Sequence, residues 1–175
     1  MQTESSIVIG PAAEADVPEL NQLVNSAYRG DTSRRGWTTE ADLLDGIRTD
    51  EAGLLAMLRQ PHTRILTARQ NGTLVGCVYL EQKADELYLG MLSVAPDRQA
   101  GGLGRQLLTA GEAYGRAVGC RRVTITVISV RRELIAWYER RGYAPTGESQ
   151  PFPADERFGI QRQPLRFIVM AKALD

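Results

Sequence analysis

A cluster of glycines between residues 96 and 108 has the residue types and spacing of an anion-binding turn. The segment reads Pro-Asp-Arg-Gln-Ala-Gly-Gly-Leu-Gly-Arg-Gln-Leu-Leu, with a strand-like run before it and a helical pattern after it. Glycine leaves space for a ligand to approach the main chain, and the first N–H groups of a helix have no partners inside it. The cluster therefore predicts a pyrophosphate site, to which Arg105 could add a cation. The alternative is a turn whose glycines only permit tight packing.

Two familiar phosphate loops do not fit this segment. A P-loop requires Lys followed by Ser or Thr after its last glycine, whereas Gly104 is followed by Arg105 and Gln106. The dinucleotide fingerprint requires Gly or Ala at position 107, which is Leu107. An enzyme that binds another diphosphate through the same turn is therefore the weakest hypothesis.

Nucleophilic and metal chemistry have little support in the sequence. The chain has one histidine, His62, and two cysteines, Cys77 and Cys120. Cys77 falls within an apolar run and Cys120 follows a predicted helix end, so both are expected to be buried structural thiols. One histidine and two separated cysteines do not make a zinc site, and we expect no bound metal.

The composition is that of an ordinary globular domain. The 175 residues include 21 basic and 21 acidic side chains and 43% hydrophobic residues. This balance argues against a nucleic-acid binder, which would show a net basic face. No apolar run approaches the ~18 residues of a membrane span, and the N-terminus does not resemble a secretory signal. We therefore expect one domain over residues 1–175, in the cytoplasm, without a nucleic-acid or membrane partner.

Hydrophobic periodicity predicts a mixed α/β sandwich in the order β-α-α-β-β-β-α-β-α-β-β. The run 87–94 is apolar on both faces and predicts a central strand, whereas 148–164 reads as a loop. Basic pairs such as Arg131-Arg132 and Arg140-Arg141 are interpreted as solvated helix ends. The other predicted strands are 6–9, 63–68, 74–80, 123–127, a segment opening at Tyr143, and 165–171. The predicted helices start at Asp16 (with Glu19 as capping-box partner) and at Thr38 or Thr39, cover 54–58 and 102–118, and end at 140–142.

Two segments resemble motifs of one known family. Gln99-Ala-Gly-Gly102-Leu-Gly104 matches the Q/R-x-x-G-x-G/A motif of the GCN5-related N-acetyltransferases (GNAT). Trp137-Tyr-Glu-Arg-Arg-Gly-Tyr143 is similar to the Y-E-x-x-G-F/Y segment of the family, and the resemblance is close over residues 60–145. It implies an acyl-CoA N-acyltransferase fold, with a central, mostly antiparallel, splayed sheet flanked by helices.

The resemblance also implies how acetyl-CoA binds as cosubstrate. The pantetheine arm would lie in a gap between the strand ending at Val94 and the strand 123–127, pairing with the main chain of Leu92 and Val94. A main-chain N–H near Leu92 or Ser93 would stabilise the oxyanion. Arg131 replaces a frequent Asn of the family and could reach a CoA phosphate or the acceptor. The amides implied for the pyrophosphate are those of Gln99, Ala100, Gly101, Gly102, Leu103, Gly104 and Arg105.

Tyr138 matches the family's tyrosine near the CoA sulfur, where it would donate a proton or hydrogen bond to the departing thiolate. Tyr88 lies where some members carry a glutamate or tyrosine base. Glu81 is the second candidate, acting through a water, and water alone is the third.

The acceptor implied by the resemblance is a primary amine, in a small molecule rather than in a protein. Trp37, Phe152 and Phe158 would wall its pocket, and Asp155 and Glu156 would attract a cationic amine. The alternative function is a non-catalytic CoA-binding or sensing module with the same turn but no working base. Exposed edge strands near the C-terminus would suit a homodimer.

Overall fold

The computed structural model describes residues 6–29, 33–34, 36, 39–153 and 155–175. Within these residues, one seven-stranded sheet is flanked by helices on both faces. The elements are β1 Ile7–Pro11, α1 Val17–Tyr28, β2 Leu44–Asp45, α2 Glu51–Arg59, β3 Thr63–Gln70, β4 Thr73–Lys83, β5 Glu86–Val94, α3 Leu103–Ala117, β6 Arg122–Ile128, α4 Arg132–Glu139, β7 Ala144–Pro151, β8 Ile160–Gln161 and β9 Arg166–Ala173.

The strand order in the sheet is β1-β3-β4-β5-β6-β9-β7, and β5 is central, as its two apolar faces predicted. Every neighbouring pair is antiparallel except β5 and β6, which α3 connects as a crossover helix. The predicted mixed fold with a mostly antiparallel sheet is therefore confirmed.

The two parallel strands separate after a short contact, which confirms the splayed sheet. Residues 86–88 of β5 pair with 122–124 of β6, and the remainder of β6 pairs only with β9. Opposite β4, Gly90 faces Tyr79 and Ser93 faces Cys77, so β5 holds one additional residue there, a β-bulge. Met91, within the bulge, has a φ of 53°, which a non-glycine residue rarely adopts. The bulge bends β5 and opens a gap towards β6.

Helices α1 and α2 cover one face of the sheet and α3 covers the other. Leu20, Val24 and Leu54 pack on one face, and Leu107 and Leu108 on the other. Close packing of α3 depends on a glycine in β4, because a Cβ on Gly76 would lie 2.7 Å from Leu107 Cδ1.

The helix predicted from Thr38 or Thr39 through Ile47 is wrong. Residues 41–43 form turns, and β2 pairs with β8, residues 160–161. Leu44 is buried with Ile128 and Leu165 in a small separate core, and Gly46 has a φ of 88°. The apolar spacing at 43, 44 and 47 suited a helix, but a distant strand supplied the backbone partners. Thr38 lies outside the described residues.

Two smaller differences concern element ends. The segment 148–164, predicted as a loop, begins inside β7, whose eight residues are all exposed and which continues to Pro151, and it also contains β8. Asp16 caps no N–H of α1; its carboxylate accepts from the Ala13 N–H at 2.8 Å, and Glu19 pairs with Arg69.

None of the described helices is long and apolar enough to cross a membrane.

Candidate active site

Two cavities adjoin at the gap between β5 and β6. The larger has a volume of about 680 Å³ and the smaller about 240 Å³. Four described residues line both: Tyr28, Leu92, Leu134 and Tyr138. A molecule in one cavity would therefore meet a molecule in the other at this shared wall.

The smaller cavity lies at the glycine turn. Gly102 has a φ of 75° and is the N-cap of α3, and no described side chain caps the helix. Because the first turn of α3 also contains no acidic residue, its N–H groups and the positive end of the helix dipole are available to an anion. Gly104 and Arg105 line the same cavity.

Gln99 connects this turn to two other parts of the chain. Its Nε2 donates to the carbonyl of Val94 at 3.1 Å. A Cβ on Gly36 would lie 2.3 Å from Gln99 Oε1, so the end of the Gln99 side chain would have to move if this glycine were replaced. The Gln99 side chain thus has a positioning role, in addition to the main-chain role predicted for it.

A second cation lies at the smaller cavity, which the sequence analysis missed. The Arg141 guanidinium lies 3.8 Å from the centre of the Trp137 ring, and its Nη1 donates to the Trp137 carbonyl at 2.8 Å. Arg141 lines the cavity with Arg105, although the pair Arg140-Arg141 was interpreted as a solvated helix end. The available signal was a tryptophan four residues earlier, in the last turns of α4.

Not every residue predicted near the cofactor lines this cavity. Ser93 is 1% exposed and its Oγ donates to the Met91 carbonyl at 3.0 Å. Leu103 packs in the core, and Gly101 and Ala100 complete the 3-10 turn that precedes Gly102. The predicted residues that do line the cavity are Leu92, Val94, Gln99, Gly102, Gly104 and Arg105.

Tyr138 is buried at the wall shared by the two cavities. Its ring makes edge contacts with Trp137 and Tyr143, with ring centres 5.0 and 5.6 Å apart. Burial raises the pKa of Tyr138 well above its ordinary value. The phenol therefore keeps its proton across the physiological range.

Tyr28 is the second phenol at the shared wall, and the sequence analysis assigned it no role. Its hydroxyl donates a hydrogen bond to the main-chain carbonyl of Leu92. Burial raises the pKa of Tyr28 to about 12. No sequence motif marks this residue, because a tyrosine at a helix end is common and its contact lies 64 residues away.

The two candidate bases lie in different surroundings. Tyr88 lines the larger cavity, with its hydroxyl 3.4 Å from Thr126 Oγ1 and its ring against Gly90. Glu81 is opposite Tyr88 in the β4–β5 register, but its carboxylate accepts from the Tyr79 hydroxyl at 3.1 Å. The described lining of the larger cavity includes Tyr88, and the described lining of neither cavity includes Glu81.

Arg131 lines the larger cavity, with Nη1 3.8 Å from Glu40 Oε2, and is not among the described residues around the glycine turn. The two roles predicted for Arg131, contact with a CoA phosphate or with the acceptor, both stay predictions. Of the residues predicted for the acceptor pocket, Phe152, Phe158 and Asp155 line the larger cavity. Trp37 lies outside the described residues.

The family model "Acetyltransferase (GNAT) family" matches residues 18–143. An IAA acetyltransferase from Azospirillum brasilense is 29% identical over 113 residues, 63% of this chain and 74% of that protein. An amino-acid acetyltransferase from Azotobacter vinelandii is 32% identical over 130 residues, 69% of this chain but only 29% of that protein.

Solved structures share the fold. The ribosomal-protein-S18-alanine N-acetyltransferase from Escherichia coli has a TM-score of 0.73 and 18% identity, covering 97% of this chain and 95% of its own. A putative acetyltransferase from Salmonella typhimurium, solved with its cofactor acetyl-CoA, has a TM-score of 0.70 and 21% identity, covering 97% and 94%. The match over residues 18–143 shows that the chain belongs to the acetyltransferase (GNAT) family and is an acetyl-CoA-dependent acyltransferase.

Proposed function

We propose that this protein transfers the acetyl group of acetyl-CoA directly to the nitrogen of a primary amine on a small molecule bound in the larger cavity. One observation carries the proposal: Tyr138 and Leu92 lie on the wall that the two cavities share. A thioester entering from the smaller cavity and an amine entering from the larger one would meet beside these residues. A cavity of about 680 Å³ is in the usual size range of small-molecule sites.

The smaller cavity suits the diphosphate of CoA. The uncapped N-terminus of α3 offers N–H groups, and Arg105 and Arg141 add two cations. The described lining of this cavity contains no carboxylate that would repel phosphate.

The gap side of β5 suits the pantetheine arm. Ala95 N–H donates to the Val75 carbonyl in β4 at 2.9 Å, and Ser93 pairs with Cys77. Because peptide groups alternate between the two neighbours of a strand, those of Leu92 and Val94 face the gap. Their carbonyls already accept from Tyr28 and Gln99, so the N–H groups would bind the arm.

The reaction needs one base and one stabilised leaving group. The amine nitrogen attacks the acetyl carbonyl carbon, the C–S bond breaks, the nitrogen loses one proton, and the thiolate gains one. By the same alternation, the N–H of Leu92 rather than that of Ser93 would face the gap and stabilise the oxyanion. Tyr88, on the acceptor side, would relay the amine proton to water, because its oxygen can accept that proton as its own hydroxyl proton leaves.

Tyr138 would act on the sulfur as a hydrogen-bond donor. An ordinary phenol has a pKa about 1.5 units above that of a thiol, so full proton transfer to the thiolate costs roughly 2 kcal/mol. Burial raises the Tyr138 pKa further and makes complete transfer less favourable. A hydrogen bond that strengthens as the C–S bond breaks needs no such transfer.

Binding and turnover test the proposal in sequence. A ligand at 100 times its Kd adds about 2.7 kcal/mol of stability, which is a thermal shift of several degrees in a chain of this size. We expect a shift with acetyl-CoA and CoA but not with ATP or NAD. Thiol release from acetyl-CoA in the presence of primary amines should follow. If acetyl-CoA binds but none of the amines causes thiol release, the result would instead indicate a non-catalytic CoA-binding module.

A further inference from the structure

Three guanidinium groups from separate parts of the chain meet at the wall of the larger cavity. Arg29 ends α1, Arg48 lies between β2 and α2, and Arg131 precedes α4. All three line the cavity. Their positions in the sequence, 19 and 83 residues apart (48 − 29 and 131 − 48), give no indication that they converge.

Glu40 is the carboxylate within this group. Its Oε1 lies 3.2 Å from Arg29 Nε, and its Oε2 lies 3.8 Å from Arg131 Nη1. The side chains of Arg29, Arg131 and Glu40 are 4%, 9% and 10% exposed. Burial of a charge is costly unless an opposite charge is near, and here two buried cations share one described carboxylate.

Arg29 is held rigidly by the protein itself. Its Nη1 donates to the carbonyls of Ile47 and Phe158, each at 2.9 Å. Burial lowers the pKa of Arg29, and the positive charge of Arg48 acts in the same direction. Arg29 therefore fixes the position of Glu40 and adds to the local positive potential.

Arg48 differs in its surroundings. Its guanidinium carbon lies 5.7 Å from the centre of the Tyr28 ring, and it is partly exposed to the cavity. Among the residues that the structure describes, no carboxylate forms a salt bridge with it. Three other described carboxylates line the cavity: Glu86 pairs with Arg122, Asp155 pairs with Arg157, and Glu148 is in none of the described salt bridges.

We propose that the larger cavity binds acceptors that carry a carboxylate as well as the amine, as an α-amino acid does, and that Arg131 and Arg48 bind that carboxylate. The inference rests on the proposed function, because it names the class of the amine acceptor. A planar guanidinium forms paired, charge-assisted hydrogen bonds with a carboxylate. A carboxylate bound at Arg131, near the start of α4, would hold the rest of the acceptor in the cavity that Tyr138 also lines.

Matched acceptors test the inference. Thiol release from acetyl-CoA is measured with the common L-α-amino acids and with their carboxamides, which keep the amine but lack the negative charge. The amine of a carboxamide is less basic and is more often neutral, so ionisation of the amine alone would favour the carboxamide. We expect at least one amino acid to exceed its carboxamide in kcat/KM by about tenfold or more.

Arginine variants test whether Arg131 and Arg48 cause the preference for amino acids over their carboxamides. Arg131→Gln and Arg48→Gln should each remove most of the preference through KM, while the Kd for acetyl-CoA stays unchanged. Arg132→Gln is the matched control, because Arg132 is the exposed neighbour on the same helix and is not in the described lining of either cavity. Arg48→Gln breaks no described salt bridge, so it tests the inference even where Arg131→Gln fails to fold.

The outcomes separate the two proposals. Equal rates with acids and carboxamides, or faster rates with carboxamides, would overturn the carboxylate inference and leave amine acetylation intact. A preference for acids that survives both arginine variants would overturn the assignment to Arg131 and Arg48. Absence of thiol release with every amine, despite acetyl-CoA binding, would overturn the proposed function and the inference with it.

Discussion

Tyr28, at the end of α1, donates its hydroxyl hydrogen bond to the main-chain carbonyl of Leu92, directly after the bulge residue Met91. This contact joins the helical layer to the strand at which β5 and β6 separate. It also occupies a carbonyl that would otherwise face the gap without a partner in the sheet. The bulge and the helix that supports it therefore form one structural unit at the wall shared by both cavities.

Replacement of Tyr138 by phenylalanine should lower kcat by about 100-fold, a typical loss when one hydrogen-bond donor to a developing negative charge is removed. The Kd for acetyl-CoA should not change, because the lost hydrogen bond forms mainly as the C–S bond breaks. Pre-steady-state thiol release and equilibrium binding measure the two effects separately.

Tyr143→Phe is the matched control for that variant. Tyr143 is another buried tyrosine whose ring centre lies 5.6 Å from that of Tyr138, and its hydroxyl has no hydrogen-bond partner in the described structure. Loss of the Tyr143 hydroxyl should leave kcat unchanged. A similar decrease in kcat in both variants would mean that Tyr138 acts through packing rather than through its hydroxyl.

Gly104→Asp should change stability and cofactor affinity in opposite directions. Position 104 is in the first turn of α3, where an acidic side chain is favourable with the helix dipole and glycine is a poor helix former. The melting temperature should therefore rise. The same negative charge would face the phosphates of CoA, and affinity should fall by about 100-fold. Thermal melting with and without acetyl-CoA measures both effects.

Gly104→Ala controls for the added atoms without the charge. A Cβ at this position would lie 3.6 Å from Trp137, an ordinary van der Waals distance. Acetyl-CoA affinity should stay within roughly threefold, less than 1 kcal/mol. Equal weakening by alanine and aspartate would show that steric exclusion, and not anion binding, governs this cavity.

Tyr88→Phe and Glu81→Gln should have different effects. Tyr88 lines the larger cavity, whereas Glu81 accepts a hydrogen bond from Tyr79 away from it. Tyr88→Phe should lower kcat by roughly tenfold or more if it is the base, and Glu81→Gln should leave kcat nearly unchanged because the amide oxygen can still accept from Tyr79. pH profiles of kcat/KM are the measurement, and the reverse order of effects would assign the base to Glu81.

The protein should lose stability at alkaline pH. Burial raises the folded-state pKa of Tyr28 to about 12 and also raises that of Tyr138, whereas the unfolded chain has ordinary tyrosines with a pKa near 10. Above pH 10 the unfolded state therefore binds fewer protons than the folded state, so stability falls as pH rises. Each of these tyrosines lowers the free energy of unfolding by up to about 1.4 kcal/mol per pH unit.

Urea unfolding between pH 8 and pH 11 would measure this loss. Tyr138→Phe removes one of these contributions and should make the fall in stability above pH 10 shallower by up to about 1.4 kcal/mol per pH unit. Burial also raises the pKa values of Tyr79, Tyr143 and Cys77, so part of the slope should remain. A free energy of unfolding that is flat through pH 11 would contradict burial of these phenols. Below pH 9 the unchanged protein and the Tyr138→Phe variant should show the same pH dependence of the unfolding free energy. Neither Tyr28 nor Tyr138 ionises there, in the folded or in the unfolded state.

Local sequence signals predicted those features that depend on neighbouring residues. The glycine turn, α3, the central strand β5 and the final helix all follow from side-chain periodicity and from glycines at the turn, which act over a few residues. The resemblance to the acetyltransferase family placed Tyr138 and the turn residues 99–105 for the same reason, since its motifs are contiguous. The element wrongly predicted near residues 39–47 is one in which a distant strand, β8, supplies the hydrogen bonds.

The tertiary structure alone decided which side chains meet at the two cavities. Tyr28 contacts Leu92 across 64 residues, and Arg131 approaches Glu40 from the other half of the chain. Glu81 and Tyr88 are paired in register, yet the described linings of the two cavities include Tyr88 and not Glu81, whose carboxylate accepts a hydrogen bond from Tyr79. The sequence by itself thus determined the fold family and the glycine turn. The lining of the larger cavity depends on long-range packing, in which no local pattern specifies the partner.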